Sequence, residues 1–105
     1  MKMIRAIIRP EKENEVLSHL EGEGFFAVTK FPVLGCGRQR GVQVGPFTYD
    51  ELSKLMLILV VEDQDYERAV LAIEKGGHTG NPGDGKIFTQ DVRDVFTVQT
   101  GSKEL

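Results

Sequence analysis

The sequence predicts an α+β fold in which two helices pack on one face of a four-stranded sheet. The chain has 105 residues, of which 40% are hydrophobic, as expected for one folded domain over residues 1–105. Its two halves also repeat one another, since a shift of 54 residues places Ile4 on Ile58 and Gly22 on Gly76. Each half contains a strand, a helix and a further extended segment. The order β-α-β-β-α-β is that of a split βαβ, ferredoxin-like sandwich.

The first half begins with residues 3–8, whose apolar and β-branched side chains are typical of a strand. Apolar residues then recur at helical spacing within the polar segment 11–21, which predicts a helix. Gly22 and Gly24 supply the stop signal of this helix. Residues 25–34 form the extended segment that completes the first unit.

The second half repeats this pattern more strongly. Residues 55–61 are a continuous apolar run, which suits a central strand of the sheet. An amphipathic stripe over 66–73 predicts a helix, with Asp65 as its N-cap and Gly76-Gly77 at its end. Two extended segments are predicted after it, at 86–88 and 95–98.

Two helices cover only one face of such a sheet, and an open apolar face requires a partner, so we expect a homo-oligomer. The 13 basic and 16 acidic residues give a net charge of −3 and a pI near 5.4, which argues against a nucleic-acid-binding protein. No apolar run is long enough to span a membrane, and the first residues do not form a signal peptide. The sequence therefore predicts a cytoplasmic protein without membrane insertion.

Nine of the 12 glycines lie in two short stretches, 35–45 and 76–85. Tight turns and helix caps explain four glycines in the chain, namely Gly22, Gly24, Gly76 and Gly77. Six of the remaining eight lie in GCGRQRG (35–41) and TGNPGDGK (79–86), and each of these stretches also contains a cation. Backbone amides next to a cation can form an anion site, so we expect both stretches to bind phosphate.

Neither stretch is a standard nucleotide motif. A dinucleotide fingerprint would need glycine where Arg40 stands, and no amphipathic helix follows it. A P-loop would need serine or threonine at Ile87 and a helix after Lys86, where the sequence predicts a strand. Both the Rossmann and the Walker A hypotheses are therefore rejected, while the phosphate chemistry remains.

Several single residues have ordinary explanations. We expect Cys36 to pack under its loop as a small apolar residue, and the one cysteine excludes an internal disulfide. His19 and His78 have no metal-ligand spacing around them. Asp84, between two glycines, is better explained as a turn acceptor than as a catalytic base. No nucleophile and base pair up, so we do not predict an enzyme.

The segment between Gly41 and Leu52 allows two interpretations. It is either a loop whose apolar residues are received by a partner, or a small hairpin in which residues 42–44 pair with 47–49. The two interpretations are compatible.

The sequence resembles the PII nitrogen-signalling family along its whole length. The resemblance is carried by GRQRG (37–41), by TGNPGDGKIF (79–88), by the opening strand MIRAIIRP (3–10) and by Thr100-Gly101. It implies a trimer of ferredoxin-like subunits with ATP or ADP bound in each cleft between neighbours. ATP, Mg²⁺ and 2-oxoglutarate would then reset a protruding loop, about 37–53, that docks onto target proteins. Residues 79–86 would be the phosphate loop and 99–105 a C-terminal tail.

Carried over by position, the resemblance also implies roles for single residues. Gln39 would ligate Mg²⁺ and contact 2-oxoglutarate, and Lys54 would pair with a carboxylate of 2-oxoglutarate. The nucleotide would be bound by Thr29, Gly35, Gly37, Arg38, Gln39, Val60, Gly83, Asp84, Gly85 and Lys86.

This sequence departs from the family pattern in three places. The protruding loop is about four residues shorter than in the enterobacterial type, judged from the alignment of Gly41 and Lys54. Tyr49 does not align with the tyrosine that is uridylylated there, so control by uridylylation is not expected. Thr97 and Gln99 stand where many members carry two arginines that grip the triphosphate from the neighbouring subunit. Three other cations are candidates to compensate: Arg38, Lys86 and Arg93.

The short loop is similar to that of nitrogenase-linked PII-like proteins of diazotrophic archaea and some anaerobic bacteria. In that branch two paralogous subunits act together on a nitrogenase component, switching it off when ammonium is plentiful until 2-oxoglutarate with ATP releases it. The alternatives are a PII regulator of another target, such as an ammonium transporter or glutamine synthetase, and a nucleotide-dependent enzyme on the same fold. An RNA-binding sheet would need aromatic residues on the central strands, and 3–9 and 55–61 contain none.

Overall fold

One antiparallel sheet of four strands carries two helices on a single face. The structure, a computed structural model, describes residues 1–36, 42–44, 47–49 and 52–105, with the two short ranges described by their backbone alone. The elements in chain order are β1 (Lys2–Ile8), α1 (Glu13–Gly22), β2 (Thr29–Gly35), β3 (Val42–Val44), β4 (Phe47–Tyr49), β5 (Leu52–Val61), α2 (Tyr66–Gly77) and β6 (Gly85–Asp91). Short 3₁₀ turns at Pro10–Lys12 and Asp63–Asp65 lead into the two helices.

The strand order in the main sheet is β2-β5-β1-β6, which confirms the ferredoxin-like α+β fold. The central strand β1 pairs antiparallel with both neighbours, and Ile4 lies opposite Leu59 on one side and Thr89 on the other. β5 begins at Leu52, so the last two residues of the segment assigned to the protruding loop belong to this strand.

The expected strand at 95–98 is wrong. These residues have no strand structure, and Val98 is fully exposed. Their valines and aromatic residue gave them a high β-propensity, but propensity of this kind is realised only beside a pairing partner. After β6 the chain instead forms a turn, in which the Gly101 amide donates to the Thr97 carbonyl at 2.7 Å.

The core lies between the sheet and the two helices. Alternate residues of β1 and β5 point toward the helices, as the two-residue period of a strand requires. The buried set consists of Ile4, Ala6, Ile8, Val16, Leu20, Leu55, Leu57, Leu59, Val61, Ala69, Ala72 and Ile73. The intervening residues of each strand form the opposite face of the sheet, which the two helices leave uncovered.

Gly76 and Gly77 do not serve as helix caps with left-handed backbone. Both lie inside α2, and neither has a positive φ. A Cβ atom built at Gly76 would lie 2.5 Å from Cα of Val16, so the glycine allows α2 to approach α1 closely. The predicted turn role is confirmed for Gly24, whose φ is +88°.

The expected N-cap at Asp65 is also wrong in its chemistry. Asp65 precedes α2, but its carboxylate accepts no capping hydrogen bond from the helix amides. Its carboxylate accepts a hydrogen bond from Nη2 of Arg68 at 2.9 Å. Arg68 also lies 3.1 Å from Oε2 of Glu23 and 4.7 Å from the ring centroid of Phe25. The Arg68 side chain therefore joins the start of α2 to the segment that follows α1.

The hairpin interpretation of residues 42–49 is confirmed for the backbone. β3 and β4 pair antiparallel, with Val42 opposite Tyr49 and Val44 opposite Phe47.

Within the part of the chain that the structure describes, neither helix has the length and apolar character needed to cross a bilayer.

Candidate functional site

The two glycine-rich stretches lie at the same end of the sheet. β2 ends at Gly35, opposite the first residue of β5, and β6 begins at Gly85, opposite the last residue of β1. Because antiparallel strands alternate in direction, this end collects two strand ends and two strand starts. The base of the first stretch and the whole of the second therefore lie at one end of the sheet.

Residues 79–86, for which the resemblance implies a phosphate loop and which keep that name below, are organised around the carboxylate of Asp84. The amides of Thr79 and Gly80 each donate to Oδ2 at 2.9 Å, and the Thr79 hydroxyl donates to Oδ1. The hydrogen bonds from Thr79, together with those from Gly80 and Arg9, hold the pKa of Asp84 well below its usual range. Asp84 thus acts as the internal acceptor expected from the sequence, although it reaches back to residues 79 and 80.

Arg9 was missed by the sequence analysis. It follows β1 directly, and its side chain, only 15% exposed, crosses to the phosphate loop. Nε donates to Oδ1 of Asp84 at 3.0 Å, and Nη2 donates to the carbonyl oxygen of Pro82 at 2.8 Å. The only signal in the sequence was a cation placed immediately after a strand, and nothing in it indicated a partner 75 residues away.

Gly85 permits the loop to join the sheet. Its φ is +112°, and an added Cβ atom would lie 1.7 Å from the carbonyl oxygen of Ile7. No side chain fits there, because backbone atoms of β1 cannot withdraw from the sheet. Gly80 and Gly83 also have positive φ values, of +89° and +97°. Three positions of the loop therefore have the left-handed backbone that favours glycine.

Lys54 connects the two stretches. Its Nζ donates to the carbonyl oxygen of Gly83 at 2.7 Å, and its Cγ lies 3.9 Å from the position that a Cβ atom at Gly35 would take. The side chain thus extends from β5 past the end of β2 to the phosphate loop. Lys86 lies on the same uncovered face, at the register position opposite Ile7, and is exposed. Two cations and a glycine loop consequently meet at this end of the sheet.

Thr29 and Val60 lie at the other end. Thr29 is paired with Ile58, and Val60 is six residues from Lys54 along β5, which corresponds to about 20 Å of strand. Within one chain they do not share a phosphate site with Lys54.

Gly37, Arg38 and Gln39 lie outside the described residues. Cys36 is exposed, so the expectation that it packs under the loop is wrong: β2 ends just before it at an open sheet edge.

The sequence matches one known protein family along nearly its whole length. The family model described as nitrogen regulatory protein P-II matches residues 1–102. The chain belongs to the PII family. It is therefore a regulator of nitrogen metabolism, built on the ferredoxin-like fold described above.

Relatives of this PII protein include two archaeal proteins with the name nitrogen fixation nifHD region GlnB-like protein 1. The one from Methanothermobacter marburgensis is 50% identical over all of both chains, and the one from Methanococcus maripaludis is 48% identical over 97% of each. The nitrogen regulatory protein P-II of Azospirillum brasilense is 40% identical over 98% of this chain and 96% of its own.

In this PII chain, the segment that follows β6 leaves the sheet at the end opposite to residues 79–86. β6 starts at Gly85 and runs to Asp91 at the opposite end of the sheet, where the Val92 amide donates to the Met1 carbonyl at 3.1 Å. The Thr97 amide then donates to the Ser102 carbonyl at 2.8 Å. Thr97 and Gln99 thus lie in a turn beyond the far end of β6.

No group of three histidine, cysteine or carboxylate side chains capable of holding a metal occurs among the residues that the structure describes. The glycine loop and its two lysines have the chemistry that a phosphate chain requires, namely backbone amides and positive charge. A Mg²⁺ ion that accompanies a nucleotide would take phosphate oxygens as ligands, and needs few from the protein.

Proposed function

We propose that this PII protein senses adenine nucleotides and 2-oxoglutarate and passes the result to a target through its protruding loop. ATP or ADP would be bound by its phosphates to Gly83, Gly85 and Lys86, with Gly35 at the base of the first stretch. Asp84 would support this site from within the loop. The contact that carries the proposal is the hydrogen bond from Lys54 to Gly83, because it joins the two stretches that the ligands would occupy.

The effector site would lie beside Lys54. Its ammonium group is a suitable partner for a carboxylate of 2-oxoglutarate, and it already rests on the phosphate loop. Gln39, with Gly37 and Arg38 next to it, would complete this site by ligating Mg²⁺ together with ATP phosphates and 2-oxoglutarate. A ligand that draws Lys54 away from Gly83 changes the loop that binds the nucleotide, so the two ligands should affect each other's binding.

The complete nucleotide site would need two copies of the chain. Thr29 and Val60, about 20 Å along the sheet from Lys54, would contact the adenine bound at a neighbour's phosphate loop. The uncovered sheet face carries apolar residues such as Phe31 and Phe88, which are 39% and 54% exposed. We therefore propose a homotrimer, or a hetero-oligomer with a paralogous PII-like subunit.

The target would be a nitrogenase component in the cytoplasm. The support is the nitrogen fixation region in the names of the archaeal relatives, together with their identity of 43–50%. The regulator would inhibit this target when ammonium is plentiful, and 2-oxoglutarate with ATP would release it. An ammonium transporter or glutamine synthetase is the alternative target. A nucleotide-dependent enzyme has less support, because the lowered pKa of Asp84, the candidate base, makes it a weak proton acceptor, and both its oxygens already accept hydrogen bonds within the loop.

Calorimetric titration of ATP, with and without 2-oxoglutarate and Mg²⁺, tests the proposal. We expect 2-oxoglutarate to raise the affinity for ATP by roughly 5- to 150-fold, the usual range of coupling between two sites. Lys54→Met should abolish this enhancement while ATP still binds to the unmodified phosphate loop. Lys30→Met is the matched control, since Lys30 lies on the neighbouring strand and pairs with Glu13 instead. The proposal is refuted if 2-oxoglutarate does not raise the affinity for ATP. It is also refuted if Lys54→Met weakens ATP binding as much as it weakens the response to 2-oxoglutarate.

A further inference from the structure

The phosphate loop contains a negative charge where a polyphosphate would bind. Asp84 lies between Gly83 and Gly85, and its carboxylate remains ionised because it accepts hydrogen bonds from Thr79, Gly80 and Arg9. An uncompensated carboxylate at this place would repel an anionic ligand. The loop can therefore serve a polyphosphate only if this charge is turned inward and neutralised.

Arg9 meets both requirements. Its guanidinium lies 3.0 Å from Oδ1 of Asp84 and also donates to the carbonyl of Pro82 at 2.8 Å. Two separate donors of one planar group thus hold the loop at residues 82 and 84, and a lysine ammonium could not reproduce this fork geometry. Arg9 itself is anchored by the adjoining strand β1, whose backbone meets Gly85 at the start of β6.

We infer that Arg9 is a positioning residue for nucleotide binding: it orders the phosphate loop before the ligand arrives and leaves Lys86 to face the phosphates. This inference rests on the proposed function. The guanidinium of Arg9 is occupied by Asp84 and Pro82, so the effect of Arg9 on nucleotide binding passes through the loop backbone. An ordered loop loses less conformational freedom on binding, and this is how pre-organisation increases affinity.

The test compares Arg9→Met and Arg9→Lys with the unmodified chain in titrations of ATP, ADP and AMP. Arg9→Met should weaken ATP binding about tenfold, the effect of losing one hydrogen bond to a charged group. AMP has fewer phosphates for the loop to hold, so its affinity should fall less and the ratio of ATP to AMP affinity should decrease. The ATP affinity of Arg9→Lys should lie between that of Arg9→Met and that of the unmodified chain. Lys2→Met is the matched control, because Lys2 forms the corresponding β1–β6 ion pair with Asp91 at the far end of the sheet; its nucleotide affinities should stay within about twofold.

Amide hydrogen exchange gives a second readout that needs no ligand. The Thr79 and Gly80 amides should exchange faster in Arg9→Met than in the unmodified chain, because Asp84 loses the group that holds it. An unchanged ATP-to-AMP ratio in Arg9→Met overturns the inference, even if the variant is less stable. So does an Arg9→Lys variant with unmodified affinity and exchange. Failure of the unmodified chain to bind ATP would instead remove the proposed function, and the role assigned to Arg9 with it.

Discussion

Gly76 occupies the point at which α2 passes α1. A Cβ atom at this position would lie 2.5 Å and 2.8 Å from the Cα and N atoms of Val16, and 2.9 Å from the carbonyl carbon of Glu15. These are backbone atoms, so they cannot rotate away as a side chain would. The missing methyl group at residue 76 therefore sets the distance between the two helices.

We predict that Gly76→Ala lowers the free energy of unfolding by about 1–3 kcal/mol, the usual penalty for an overpacked core. Gly22→Ala is the matched control, because Gly22 also lies in a helix but has nothing within 4 Å of its added Cβ atom. That change should be neutral or stabilise the protein by up to about 1 kcal/mol. Urea unfolding of both variants measures the difference, and equal stability of the two would contradict the assigned helix contact.

Asp84 makes loop stability depend on acidity in a definite direction. The pKa of its carboxyl is lowered in the folded chain, first by the hydrogen bonds from Thr79 and then by those from Gly80 and Arg9. The folded state thus favours the charged form, and the stabilisation is fully present above the unfolded pKa of about 3.9. It is lost as the pH falls below that value toward the folded pKa.

We therefore predict that Asp84→Asn is less stable than the unmodified chain near neutral pH, and that this difference shrinks steadily below about pH 4. Chemical unfolding of both proteins over an acid pH series provides the measurement. A difference that stays constant from neutral to acid pH would show that the charge of Asp84 is not what stabilises the loop.

At this scale, the sequence predicted the residues whose chemistry is local. Asp84 between two glycines indicated a loop acceptor, and the loop has that form. The contact between Arg9 and Asp84 could not be predicted, because it depends on β1 and β6 lying side by side. The role of Gly76 was missed because it depends on how α2 packs on α1, and a glycine near the end of a helix is equally consistent with a helix cap.

At the scale of elements, the central strands β1 and β5 were predicted best. Their apolar runs indicated burial, and β5 supplies four core residues against the two helices. The edge strands were harder to predict. Residues 95–98 have strand-like composition but no strand structure, whereas β6 extends to Asp91 with only Ile87 half-buried. Pairing partners, which composition does not reveal, decide such segments.

The contrast between central and edge strands can be measured with one chemical change at two places. Leu57 on β5 is fully buried, whereas Leu34 on the edge strand β2 is 69% exposed. Leu57→Ala should lower the free energy of unfolding by about 2–5 kcal/mol, since it removes packed atoms and leaves a cavity. Leu34→Ala should change it by no more than about 0.5 kcal/mol. Similar losses in the two variants would contradict the assignment of the core to the helix-covered face.

On the scale of the whole molecule, the feature that remains unexplained by a single chain is the face of the sheet without helices. Met3, Ile7, Met56 and Ile58 alternate with the core residues of β1 and β5 and therefore lie on this face. Phe31 pairs in register with Met56, and Met56 with Ile7, so three apolar residues stand in a row across three strands. Burying this row against a second copy is the subunit contact proposed above, in which Thr29 and Val60 would contact the adenine bound at a neighbour's phosphate loop.

A charge in the middle of that row should prevent assembly if the face is the proposed subunit contact. Met56→Asp would place a carboxylate between Ile7 and Phe31, and an unpaired charge at a buried interface is strongly unfavourable. We predict that this variant has the mass of a monomer in solution and loses ATP binding, because each site would lack its second subunit. Leu71→Asp, the same kind of change on the exposed surface of α2, should leave the oligomer and its nucleotide affinity intact. Multi-angle light scattering combined with ATP titration distinguishes the cases: a Met56→Asp protein that assembles and binds ATP normally would exclude the uncovered face as the contact, and would require Thr29 and Val60 to have a different role.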